Sequence, residues 1–489
     1  MTAAPFSEKV PLKTKLAFGT GAIAFGIKDN GFSVFLLIFY NQVVGLPANL
    51  VGLVIGLALL IDAFIDPLVG NLSDRTRTKW GRRHPWIYGS AVPIALAWLL
   101  IWNPPEMGTG ATLGYLLAAG VMVRASLSAY EVPSISLMPE MTSDYDERTM
   151  VVRYRALLGW AGGLFMLAMA YGVILVPSAE YPDGTLNPAG YPRYAFIGAI
   201  IMFVAVMISG IGTHRDYARP PKNEAATAES LKEILSTLGY TPFLILMIAA
   251  LFGYAGQGLT FALTNYLFEY IWEFGQTELV IYSGVLFTSA IIAFIVIAPV
   301  AKRASKPRAA AVMALISGIF GTAPYWLRYL DLAPENGSPM VLPFLFTFIG
   351  IGIVGFISTM TLTVSMVADV TDHARRHNGK QTEGLFYAGY FFVQKAVTGL
   401  GIFFAGQLLG LVGFPEDAQP GSVAPDLLDN LAITYASLSA LLSLGAMISF
   451  WKFPLGRDDH AEIIEPRPPL AALDNDSNSA LDSSPAKAP

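Results

Sequence analysis

IDAFIDPLVGNLSDRTRTKWGRRHPW, residues 61–86, decides how the chain is read. The stretch follows LVGLVIGLALL, places Asp62 and Asp66 one helical turn apart inside the apolar run, and ends in a basic, turn-rich loop. A carboxylate at the centre of a spanning helix costs about 2.5 to 3.5 kcal/mol on insertion scales, so two of them face a cavity or a partner. Counted from Asn49 at about 1.5 Å per residue, Asp62 lies roughly 20 Å deep and Asp66 about one turn nearer the basic loop. Residues four apart share a helix face, where like charges repel. The pair therefore ionises fully only with a cation bound, and otherwise one member holds a proton. Pro67 removes the backbone bond to the carbonyl of Ala63 and leaves an oxygen that a buried site could use. Both a cation site and a structural bridge to a basic residue of another span fit this stretch.

The rest of the chain supports a membrane reading. Of its 489 residues, 54 % are hydrophobic and 14 % charged, and the mean hydropathy is +0.52; such a composition excludes a soluble core. A net charge of −5 gives no sign of a nucleic-acid partner. With no cysteine, disulfides, thiol catalysis and Cys-based metal sites are excluded. The opening MTAAPFSEKVPLKTKLAFG runs into a full-length apolar segment without a cleavage-like site, which predicts a retained first helix. Runs of about 20 apolar residues predict an all-α integral membrane protein with twelve spans, near 15–43, 49–73, 85–103, 112–141, 152–176, 193–213, 240–272, 278–300, 308–330, 340–369, 382–412 and 429–453.

Alternate loops sort the basic residues sharply. The N-terminal side holds 24 of the 31 lysines and arginines, the opposite loops hold Arg193 and Arg328, and Lys28, Arg124 and Lys395 fall inside spans. The positive-inside rule then puts both termini in the cytoplasm of a multi-pass protein in the cell (inner/plasma) membrane. The longest loop on that side, 214–239, separates a six-helix bundle over 1–213 from a second over 240–453, and a disordered Pro/Ala/Ser/Asp-rich cytoplasmic tail is expected over 454–489. AKRASKPR follows span eight as DRTRTKWGRR follows span two. A 6+6 plan of this kind marks transporters that rock two bundles about a midplane site.

Further charges lie at similar depth: Lys28 and Asp29 in span one, Arg124 and Glu131 in span four, and Lys395 in span eleven. Lys395 is the lone buried ammonium of the second half. A bridge from it to Asp62, Asp66 or Glu131 would join the bundles, either as a static clamp or as a switch that a transported cation weakens. All five histidines fall in loops, at loop edges or in the tail, away from any midplane relay. Tyr130 and Tyr390 are aromatic residues that could stack on a ligand, or simply pack. In the basic loop, Asp74, Arg75, Arg82 and Arg83 can act as a gate whose ion pairs break when the bundles rock, besides signalling topology.

On GIKDNG, DAFIDPLVGNLSDRTRTKWGRRHPW, YEVPSISLMPEM, DERTMVVRYRALLG and QTEGLFYAGYFFVQKAVTG, the chain resembles the major facilitator superfamily. Within it, the chain looks like the glycoside-pentoside-hexuronide:cation symporters, the melibiose permease group, which includes lysophosphatidylcholine symporters. The resemblance implies that Asp62 and Asp66 bind the coupling cation, with Lys395 at that site and Ser128 near the ion. It implies that Asp29, Glu131 and Arg155 contact the solute, and we add Lys28, Tyr130, Tyr390 and Phe391 as candidates around them. Three departures matter. Ile65 replaces an Asn between the paired acids, which makes sodium less certain and a proton more plausible. Ile135 replaces a sugar-stacking Trp and Phe391 a Thr, which implies a more apolar pocket than a simple galactoside needs.

The expectation is a monomeric secondary active symporter that couples entry of H⁺ or Na⁺ to uptake of a glycoside, with no cofactor. Asp62 and Asp66 act as metal ligands only under Na⁺ coupling. The other expectation is a cation-coupled symporter of a lysolipid or another amphiphile. A membrane enzyme is disfavoured because no loop exceeds a few tens of residues.

Overall fold

The computed structural model describes residues 9–142, 144–218, 239–378 and 383–455. Most of the expected disordered tail and most of the loop over 214–239 lie outside the described residues. Among the described residues, twelve helices are long and apolar enough to cross a membrane: α1 Leu12–Val43, α2 Ala48–Arg75, α3 His84–Ile101, α4 Thr109–Met141, α5 Met150–Ile174, α6 Pro188–Tyr217, α7 Thr241–Ile271, α8 Gln276–Ala301, α9 Lys306–Tyr329, α10 Val341–Arg375, α11 Leu385–Val412 and α12 Pro425–Trp451. No strand occurs among the described residues. The fold is all-α, as expected, and it differs from the expectation mainly at helix ends. The helix of α10 runs on to Asn378, past the expected end at 369, because backbone hydrogen bonding continues after the apolar run stops.

Helix starts are set by simple devices. Proline occupies the first turn of α3, α7, α9 and α12, where its missing N–H costs nothing. The Asp144 side chain caps the helix leading into α5 by accepting from the Glu147 N–H at 2.7 Å. Among the described residues, four segments are π-helical: Gly31–Phe35 and Phe39–Val43 in α1, Ala170–Ile174 at the end of α5, and Tyr266–Ile271 at the end of α7.

The helices pack as two related bundles. In the first, α1 packs on α5 and α6, α4 on α2 and α3, and α3 on α6; in the second, α7 packs on α11 and α12, α10 on α8 and α9, and α9 on α12. Adding six to each helix number of the first set reproduces the second, so each half solves the same packing problem in the same way. Between bundles, α2 packs along α11, α5 meets α8 and α1 meets α7.

Glycine makes the α2–α11 seam possible. A Cβ on Gly52 would stand 2.9 Å from the Gly406 Cα, and one on Gly56 would stand 3.0 Å from the Gly399 carbonyl oxygen. Small residues are what let two membrane helices approach this closely. Gly52→Leu should therefore force the seam apart. In this cysteine-free chain, a cysteine replacing the buried Val34 of α1 should then react several-fold faster with a water-soluble maleimide. An unchanged rate would mean that the seam does not hold the bundles together.

The bundles are also tied by hydrogen bonds on the face opposite the basic loops. The Asn265 amide of α7 donates to the Val34 carbonyl at 3.0 Å, and Tyr171 of α5 donates to Asn265 Oδ1 at 2.6 Å. Tyr266 donates to Asn41 Oδ1 at 2.8 Å, and Gln407 of α11 donates to the Asn49 carbonyl at 2.9 Å. Gln42 of α1 donates to the Pro415 carbonyl at 2.8 Å and accepts from the Ala418 N–H at 3.0 Å. At about 0.5–1.5 kcal/mol each, these bonds together close that face.

Candidate functional site

The two acids of the opening stretch sit where α2, α4 and α11 meet. Asp62 is buried, and both its oxygens are engaged: Arg124 of α4 donates to Oδ2 through Nε at 2.9 Å and Nη2 at 2.8 Å, and the Ser128 hydroxyl donates to Oδ1 at 3.0 Å. One turn on, Asp66 Oδ2 accepts from Lys395 Nζ of α11 at 2.6 Å, while Asp66 Oδ1 is shielded from solvent and has no hydrogen-bond partner. Lys395 Nζ also stands 3.3 Å from Asp62 Oδ2. Arg124 and Ser128 are four residues apart and so share one face of α4, which is why both reach the same carboxylate. Pro67 lies within the helix directly after Asp66.

A second group lies beside the first. Lys28 of α1 is buried, 3.6 Å from Asp29 Oδ1 and with its ammonium 4.2 Å from the Phe25 ring centre. Arg155 of α5 donates to the Ser134 hydroxyl at 3.0 Å, lies 3.8 Å from Glu131 Oε1 of α4, and covers the Phe18 ring at 5.3 Å. The Asp29 side chain remains 44 % exposed and that of Glu131 17 %, so both can still meet a solute. The Tyr390 hydroxyl of α11 is paired with that of Tyr254 of α7. Four acids (Asp29, Asp62, Asp66, Glu131) thus balance four bases (Lys28, Arg124, Arg155, Lys395) around the midplane.

Two candidates stand apart from this group. Tyr130 is buried inside the first bundle, its hydroxyl donating to Ser209 of α6 at 3.0 Å and filling the space beside Gly21. Phe391 is 47 % exposed and touches Tyr390 edge-on at 5.5 Å. The gate residues are organised differently from the expectation of an inter-bundle latch. Arg83 pairs with Asp74 at 2.6 Å and donates to the Ser73 hydroxyl at 2.8 Å. Arg82 pairs with Glu140 of α4 at 2.8 Å, and Arg75 is exposed. These partners all belong to the first bundle, so the cluster braces α2 against α4. Lys306 and Asp369, 2.7 Å apart, brace α9 against α10 at the matching place in the second bundle.

Sequence reasoning missed Arg124 as the partner of Asp62, Glu140 in the basic-face cluster, and Tyr254. The four-residue spacing of Arg124 and Ser128 was the available signal for the first. A largely apolar cavity of about 1120 Å³, counting its mouth, lies within the second bundle, lined by Phe252, Thr260, Tyr282, Tyr325 and Tyr435, with Trp160 contributed by α5. None of the eight charged residues lines it, so the charged cluster, where cation and solute chemistry can meet, is the stronger candidate site.

Residues 17–457 match the family model described as MFS/sugar transport protein. The chain is 25 % identical to the uncharacterized symporter sll1374 of Synechocystis sp. over 94 % of its own length and 96 % of that protein. It is 26 % identical to the isoprimeverose transporter of Lactiplantibacillus pentosus, over 83 % of this chain and 81 % of that one. Among solved structures, a D-xylose-proton symporter superimposes with a TM-score of 0.63 at 13 % identity, covering 91 % of this chain and 98 % of that one.

Proposed function

Because this chain belongs to the MFS/sugar transport protein family, we propose that it takes up a glycoside-like solute by alternating access, driven by entry of a coupling cation. It is a multi-pass membrane transporter of the symporter type and not an enzyme. The name of the isoprimeverose transporter supports a sugar-like solute, and the positive-inside pattern supports a cytoplasmic basic face.

The observation that carries the reading is the sharing of Lys395, on the second bundle, between Asp62 and Asp66 of the first. With its charges balanced, the site is neutral when empty. A cation arriving at Asp66 adds positive charge, and repulsion is relieved when Lys395 leaves Asp66 and the bundles are freed to rock. Asp29, Glu131 and Arg155 then orient solute hydroxyls, with Lys28 and Tyr390 beside them.

H⁺ is favoured over Na⁺. A hard cation needs several oxygen ligands at once, whereas both oxygens of Asp62 are already taken and Asp66 offers one uncommitted oxygen. Ile65 adds none. A proton needs only that one. In proteoliposomes loaded with a panel of glycosides, accumulation should follow an imposed H⁺ gradient and be indifferent to a Na⁺ gradient. Accumulation under Na⁺ alone would replace the ion in this reading, and competition by lysolipids but not by sugars would replace the solute.

A further inference from the structure

Glu269 is buried with nothing to neutralise it. It lies in the π-helical end of α7, fully inaccessible, and neither of its carboxylate oxygens has a partner in hydrogen-bonding geometry. The polar groups beside it are Thr185 and Asp183, in the connection between α5 and α6, which belongs to the other bundle. The Asp183 Oδ1 accepts from the backbone N–H of Thr185 at 2.9 Å and from its hydroxyl at 2.8 Å. The other titratable groups that face the pair are all tyrosines: Tyr171 of α5, Tyr191 of α6, and Tyr266 and Tyr270 of α7. Among the described residues no Lys, Arg or His acts on either carboxyl.

Two carboxylates that stand together without a cation, Glu269 fully buried and Asp183 partly so, cannot both stay ionised. Burial pushes the Asp183 carboxyl above the ordinary carboxylate range. The surroundings say where this matters. Asn265, one turn before Glu269, bonds to Val34 and Tyr171, and Tyr266 bonds to Asn41. The acid pair is therefore part of the seal on the face opposite the basic loops. A π-helical turn at this point is also the kind of local irregularity that positions a functional side chain.

We propose that Glu269 and Asp183 form a proton-binding site, separate from Asp62 and Asp66, that holds one shared proton when this face is closed and releases it when the face opens to water. The proton joins the bundles by converting two repelling carboxylates into a carboxyl–carboxylate pair. The sign follows from linkage: a site whose proton is held more tightly in the closed state favours closure at low pH, and that contribution is lost as pH rises through the closed-state value.

The site itself can be tested without transport, so a failure here is distinguishable from a failure of the symport reading. Infrared difference spectra between about pH 5 and about pH 8 should contain a protonated-carboxyl carbonyl band that Glu269→Gln removes. Spin labels at Ala179→Cys and Met340→Cys, one on each bundle at this face, should report a larger open population at the higher pH. Glu269→Gln, which mimics the protonated acid, should keep the face closed at both. Asp183→Asn, on a connecting segment and less exposed to folding failure, should flatten the pH response in the same way. A band that survives Glu269→Gln, or label distances whose pH dependence is unchanged in both variants, would overturn the proposal.

Discussion

Asp66→Asn is expected to abolish concentrative uptake, by at least a hundredfold in initial gradient-driven rate, while leaving solute exchange between equilibrated compartments intact. Asp66 is the member of the pair with a free oxygen, and its other oxygen holds Lys395 at 2.6 Å. An amide cannot take up a proton in this range and attracts the ammonium only as a dipole. The variant should therefore behave as if the cation were permanently bound. Exchange needs only the loaded carrier to reorient, whereas net uptake needs the empty carrier to return with Lys395 back on Asp66. Counterflow and gradient-driven uptake measured on the same vesicles separate the two. Concentrative uptake at the wild-type rate would mean that coupling resides elsewhere.

Arg124→Met should have the largest effect on stability. Asp62 has 2 % of its surface exposed, and Arg124 is its main partner, donating twice to Oδ2, with Lys395 at 3.3 Å as a shared second cation. Removing one member of a buried pair typically costs about 3–5 kcal/mol, because the remaining charge is left in a poor solvent. The single variant should show a sharply lowered Tm in detergent and poor membrane yield. Adding Asp62→Asn removes the stranded charge and should recover most of the loss, although not coupled transport. A single variant as stable as the wild type would show that Lys395 alone can compensate Asp62. A double variant no better than the single would show that Arg124 acts by packing, for instance against Phe32, whose ring it covers at 5.4 Å.

Much of the fold was legible because the bilayer imposes its own arithmetic: twelve apolar runs of spanning length can be little else. The 6+6 plan was visible in the charge pattern, and it reappears as five helix-packing pairs repeated with an offset of six. Asp62, Asp66 and Lys395 could be singled out because each is expensive at its depth. What could not be read was which charge answers which. Arg124 and Glu131 sit on one helix, yet Arg124 turns to α2 and Glu131 to Arg155 of α5, and only the packing decides this. The pairing in the basic loop is hidden for the same reason: Asp74 and Arg83 pair within their own bundle, with Glu140 of α4 completing the group. Glu269 passed unnoticed because an acid near a predicted helix end reads as interfacial. The groups it meets in the fold, Asp183 and Thr185, come from an element distant in sequence.

In the proposed symport, a cation reaching Asp66 is carried across the membrane with the solute. Proteoliposomes containing a trapped pH indicator test it directly, with no imposed gradient and in the presence and absence of Na⁺. Adding a transported glycoside outside should acidify the lumen at a rate proportional to solute entry, equally with or without Na⁺, and Asp66→Asn should eliminate the signal. Solute entry without acidification in the wild type, or acidification that persists undiminished in Asp66→Asn, would contradict it.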